Sequence, residues 1–136
     1  MGNRAVITTA PFGLDKIGIY VHWNGGRESI EAFLAVAREL DMLRPNDSCY
    51  GLARLTQIIG NYFGGGLSLG IGVVRDLDYD NGDNGTYLID GDWDIVGREF
   101  YDDDGRIDTE YRDSIKLACL EKMRAAGYKV LTEAKQ

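Results

Sequence analysis

The sequence predicts an α+β fold, a mostly antiparallel sheet of about five strands covered by three helices, and three observations predict it. Short β-rich runs with period-two alternation recur along the chain. Three longer stretches carry apolar residues at helical spacing. Neighbouring β-rich runs are mostly joined by short turns, which favours antiparallel pairing. The 136 residues suit one domain spanning 1–136, a length at which folding buries roughly two thirds of the chain's surface. With 44% hydrophobic and 27% charged residues, the composition is that of a globular chain, not a disordered one.

Residues 4–9 and 17–23 read as an N-terminal hairpin joined by a Pro-Phe-Gly loop. In the second run Ile17, Ile19, Val21 and Trp23 alternate onto one face, the period of a half-buried strand. Asn24-Gly25-Gly26 is a turn signal. A helix follows over 27–43, with Ile30, Phe33, Leu34, Ala37 and Leu40 in one apolar stripe, closed by Pro45. Asp47 or Ser48 is placed to cap the next helix, which runs to about Phe63 and leaves through Gly64.

Residues 67–74 read as a strand with Leu67, Leu69, Ile71 and Val73 on one face and Ser68, Gly70 and Gly72 on the other. The glycine series Gly60, Gly64, Gly65, Gly66, Gly70 and Gly72 could shape a pocket beside the second helix or simply allow close helix-on-sheet packing, and packing is the expectation. After a polar loop at 76–85, residues 86–91 and 93–100 form a second hairpin turning near Asp90-Gly91-Asp92. Asp108 or Thr109 caps a last helix that runs to about Ala126 and ends at Gly127, and 128–132 reads as a short edge strand.

The net charge of −7 is unevenly spread. Residues 76–110 hold thirteen Asp or Glu against two Arg, a local net of −11, while the rest of the chain nets +4. A basic face for nucleic acid is absent, so direct DNA or RNA binding is not expected. No apolar run approaches the roughly 20 residues that span a bilayer, and the N-terminal residues lack a signal-peptide pattern. Cys49 and Cys119 are expected to be buried free thiols in a reducing compartment.

Three clusters carry candidate chemistry. His22, Asn24, Gly25, Gly26 and Arg27 join a strand to a helix N-terminus, where exposed amides and a guanidinium could hold a phosphate compound. Neither the dinucleotide fingerprint nor the P-loop Lys is present, and a structural strand–turn–helix corner with Trp23 in the core is the plainer reading. His22 is the sole histidine, and no nucleophile motif accompanies it. The Asp76–Asp83 stretch has carboxylates for Ca²⁺, but an EF-hand loop counted from Asp76 puts Asn81 at its glycine position and Tyr87 at its glutamate position. No metal or cofactor is expected.

The third cluster is Asp76, Asp78, Asp80, Asp83, Asp90, Asp92, Asp94, Asp102, Asp103 and Asp104. Such a concentration makes a negative field that steers toward a basic partner, if the side chains share one surface. A groove built to neutralise phosphates is such a partner, and an acidic protein can occupy it in place of DNA.

Met1, Gly2 and Arg4, followed by Tyr20-Val21-His22-Trp23-Asn24-Gly25, resemble the N-terminal third of short phage and prophage proteins of unassigned role. The likeness covers roughly residues 1–40, and the chain departs from it at Gly26-Arg27, where the relatives carry an aromatic residue. The resemblance implies a mobile-element origin and a place in the host-cell cytoplasm. Small acidic phage proteins include inhibitors of host defences, anti-CRISPR proteins among them. It thus implies a non-catalytic anti-defence protein that binds the basic surface of a host nucleic-acid-binding complex. A phosphate-compound binder or hydrolase using the His22–Arg27 turn and a homo-oligomeric phage assembly protein are the alternatives.

Overall fold

Five strands and three helices follow the order β1 (Ala5–Thr9), β2 (Ile17–Val21), α1 (Arg27–Glu39), α2 (Ser48–Phe63), β3 (Leu69–Val73), β4 (Thr86–Ile89), β5 (Ile95–Glu99) and α3 (Thr109–Ala125) in a computed structural model that describes residues 2–65 and 68–128. The α+β fold read from the sequence is the fold observed. The expected 128–132 strand lies, Tyr128 apart, outside the described residues, as do Gly66 and Leu67.

The sheet order is β3-β2-β1-β4-β5. All neighbours are antiparallel except β1 and β4, which run parallel with Val6 opposite Thr86 and Thr9 opposite Ile89. That parallel pair requires the chain to cross from edge strand β3 back to the interior of the sheet. A 3₁₀ turn at Val74–Asp76 starts the crossing, and residues 77–85 complete it.

Helices and crossover cover opposite faces. Ala5, Ile7, Ile19, Val21, Tyr87 and Ile89 share one core with Ile30, Phe33, Leu55, Ile59, Ile115 and Met123 of the helices. Val6, Thr8 and Thr86 are buried on the other face, where Thr86 Oγ1 donates to the Tyr79 carbonyl at 3.0 Å. The rings of Phe12, Tyr79 and Phe100 cluster with centroids 5.5–6.1 Å apart. A Cβ on Gly18 would lie 3.1 Å from Val74 and 3.2 Å from Leu77, so the crossover packs directly on that glycine.

Several local expectations need correction. Only Ile19 and Val21 of the expected β2 face are core; Ile17 and Trp23 are about half exposed, because the helices do not extend over the ends of the strand. Helix α1 stops at Glu39, not at 43. Asp41 adopts φ 56°, its N–H bonds the Arg38 carbonyl, and the Met42 N–H bonds the Ala37 carbonyl at 2.9 Å. This is the Schellman closure, made here by Asp instead of the usual Gly or Asn. The Asp47 cap, the Gly64 exit (φ 68°) and the Asp108 cap fall where expected.

Of the two free cysteines, Cys119 is buried as expected and Cys49 is not. Cys119 is buried on α3, where desolvation pushes its thiol up to about 12, whereas Cys49 is exposed on the first turn of α2. A thiol reagent added to the native protein near pH 8 should therefore modify one cysteine quickly, and the second only at the rate of unfolding. Mass spectrometry of the labelled protein reads this directly; rapid double labelling in native buffer would contradict the packing of α3.

Candidate functional site

The acidic segment does not form one patch. Ile89 pairs with Ile95 at one end of the β4–β5 hairpin and Thr86 with Glu99 at the other. Asp90, Asp92 and Asp94 sit at the first end, while Asp83 and Asp102–Asp104 lie in loops at the second. The two groups are separated by the length of β4, roughly 13 Å. Asp76 and Asp80 belong to the crossover on the back face.

About half of the ten candidate aspartates are already paired with arginine. Arg4 bridges Asp78 and Asp83, each at 2.8 Å, and its own N–H also donates to Asp83. Those contacts hold the Asp83 carboxyl below its ordinary value. Arg38 meets Asp94 at 2.7 Å, and Arg106 meets Asp104 at 2.8 Å. Asp103 accepts from Arg27 at 2.6 Å and from Arg98 at 3.2 Å. Asp90 Oδ1 turns inward to accept the Asp92 and Asp94 N–H groups, each at 3.0 Å, and so builds the hairpin turn. Among the described residues, Asp76, Asp80, Asp90, Asp92, Glu99, Asp102, Asp108 and Glu110 make no ion pair.

Arg98 anchors the second end of the hairpin. Its side chain is 4% exposed. The guanidinium lies 3.7 Å from the Tyr101 ring centroid and 4.4 Å from that of Tyr87, and it donates to the Asn84 carbonyl at 3.0 Å. Tyr87 is itself buried and donates its hydroxyl to the Gly25 carbonyl at 2.6 Å.

The His22–Arg27 turn is built into the same network. Gly25 N–H bonds the Asn3 carbonyl at 2.8 Å, and a Cβ there would lie 2.8 Å from the Arg4 carbonyl carbon. Asn24 turns at φ 59° with its amide on Ser29 Oγ. His22 Nδ1 lies 2.8 Å from Tyr20 Oη, and its ring meets Trp23 edge-on. Arg27 donates from Nε to Glu31 (2.7 Å) and from Nη1 to Asp103 (2.6 Å). Glu28 places a carboxylate in the first turn of α1, a negative charge that would repel a phosphate there. A Cβ added at Gly70 or Gly72 would lie 3.7–4.0 Å from Tyr20 or Leu77, ordinary contact, so side chains of the fold already lie over that face.

A cleft of about 330 Å³ opens between α1, α3 and the start of β5. Its cations are each matched by a carboxylate: Arg27 by Glu31, Arg38 by Asp94, Arg112 by Glu31 and Asp113, and Lys116 by Glu39 at 3.6 Å. It is an ion-pair zipper between two helices and a hairpin. Among the described residues, no three His, Cys, Asp or Glu side chains come together so as to hold a metal ion. No described helix is long and apolar enough to cross a membrane.

What sequence reading missed is where carboxylates and aromatic rings meet. The Asp108 N–H donates to Glu28 Oε2 at 3.0 Å, which ties the N-terminal ends of α1 and α3 together. Asp108 caps α3 there by accepting the Tyr111 N–H at 3.1 Å; Asp102, Asp108 and Glu110 are exposed, and Trp23, Tyr101 and Tyr111 are each about half exposed. Exposed aromatic rings are enriched at binding surfaces. Comparison with protein-family models, with curated proteins and with solved structures found no match. The fold thus defines a class only: a small α+β protein with a mixed, mostly antiparallel five-stranded sheet and three helices.

Proposed function

We propose that the protein is a non-catalytic inhibitor that binds a basic site on a host nucleic-acid-binding defence complex, as an anti-CRISPR protein does. The observation that carries the reading is that Asp102, Asp108 and Glu110, in the loop before α3 and on its first turn, are left without an ion pair. Asp102, Asp108 and Glu110, with their half-exposed sequence neighbours Tyr101 and Tyr111, are its contact residues. They offer lysine or arginine charge-assisted hydrogen bonds, with aromatic rings as anchors. Asp78, Asp83, Asp94 and Asp103 serve the fold instead, through Arg4, Arg38, Arg27 and Arg98. The anti-defence role rests on the N-terminal resemblance; the binding mode rests on the charge.

The test is competition against DNA for a purified CRISPR effector complex, read by gel shift. The protein is expected to displace DNA, with an affinity that falls steeply as salt rises. Asp102→Lys with Glu110→Lys should weaken displacement about tenfold or more. Asp92→Lys, at the far end of the hairpin, should not. Full inhibition by the doubly reversed variant, shown folded by circular dichroism, would end the proposal.

A further inference from the structure

We propose that the free edge of β3 pairs with the same edge of a second copy of this chain, about a two-fold axis through Ile71. The ladder to β2 fixes which groups are free. His22 N–H bonds the Ser68 carbonyl and Val74 N–H bonds the Lys16 carbonyl. In an antiparallel register that sets Val21 opposite Leu69 and Ile17 opposite Val73, bonding pairs alternate. Gly70 and Gly72 therefore bond inward, and Leu69, Ile71 and Val73 turn their N–H and C=O groups outward. Among the described residues no strand covers them.

The outward groups are self-complementary. Antiparallel pairing centred on Ile71 sets Leu69 against the other copy's Val73, Ile71 against Ile71, and Val73 against Leu69. Every outward N–H then meets an outward C=O. All three side chains also share one face, so an apolar row continues across the axis. Ile71 is 57% exposed and Ile17, on the neighbouring strand, 47% exposed. Such a contact is isologous and closes on itself.

The contrast with the opposite edge is the second argument. Proteins protect free edges with charge, proline or bulges. Edge strand β5 has these: Arg98 and Glu99 within it, and a register shift against Leu88 and Ile89. The β3 sequence Leu-Gly-Ile-Gly-Val has no charge and no proline. An unprotected, uncharged edge in a chain of net charge −7 is where two like-charged copies can approach with least repulsion.

Sedimentation velocity of the full chain over a wide concentration range tests this. A species of twice the chain mass is expected at high concentration. It should strengthen with added salt, because screening relieves repulsion between two acidic copies. Binding to a basic partner has the opposite salt dependence. Ile71→Lys should weaken the dimer by about tenfold or more, since two ammonium groups would face each other across the axis. Val96→Lys, on β5, should leave it unchanged. Hydrogen exchange of the Ile71 amide in the unmodified protein should slow as concentration rises, a readout that needs no variant. A single-chain mass at every concentration, or equal dimerisation by Ile71→Lys, would overturn the proposal.

Discussion

Trp93→Ala is expected to lower the unfolding free energy by about 3–5 kcal/mol, read as a fall in the urea midpoint by far-UV circular dichroism. Trp93 sits in the β4–β5 turn but is only 4% exposed. Its Nε1 donates to the Arg44 carbonyl at 2.8 Å, ahead of α2, and its own carbonyl accepts from Arg38 of α1 at 2.6 Å. The ring lies flush on Gly51 of α2, where any Cβ would overlap it. One side chain thus joins the hairpin turn, α1, the α1–α2 loop and α2. Its removal opens a cavity and orphans the Arg44 carbonyl, two costs that add. Gly51→Ala should cost about 1–3 kcal/mol by overpacking, yet almost nothing when combined with Trp93→Ala. That coupling separates ring contact from helix propensity, because Ala alone favours a helix over Gly. A loss below about 1 kcal/mol for Trp93→Ala would mean that the turn packs independently of the helices.

Trp93 also shows where the sequence was readable and where it was not. Periodicity located every strand and helix, because it reports which side of an element meets apolar neighbours. It said little about element ends: Asp41 closes α1 in a left-handed conformation that composition does not advertise. Trp23 looked like a core residue at the end of an alternating strand, yet it is half exposed, whereas Trp93, which begins the expected 93–100 strand, is buried. Burial at a turn depends on what packs against it, here α2 some forty residues earlier. The parallel β1–β4 pairing was unreadable for a similar reason. It is set by a long-range crossover over Gly18, and neither strand carries a local mark of it. The aspartates were visible as a charge run, but their arginines were not. Arg4 is 79 residues from Asp83, and Arg27 is 76 from Asp103. Sequence proximity therefore overstated the free negative charge, and only folding divides structural carboxylates from available ones.

Asp103 is the sharpest case of that division, and Asp103→Asn should cost about 2–3 kcal/mol at neutral pH. The side chain is 14% exposed and neutralises two guanidiniums, Arg27 and the nearly buried Arg98. Burial alone would raise its pKa. The Gly105 N–H at 2.7 Å, with Arg27 and Arg98, outweighs burial and holds the carboxyl below its ordinary 3.8. A folded pKa below the unfolded one means that the folded state favours the charged form. The stabilisation is then complete above the unfolded value and is lost as pH falls through the folded one. The unmodified protein should lose stability steeply below about pH 4, with Asp83 contributing in the same direction. Asp103→Asn cannot titrate there, so its acid limb should be shallower and the two stability curves should converge toward pH 2. Urea midpoints at a series of pH values test both parts. Parallel curves at all pH would show that the Asp103 carboxylate contributes through shape alone, and that the Arg27–Asp103–Arg98 bridge does not hold the hairpin to α1.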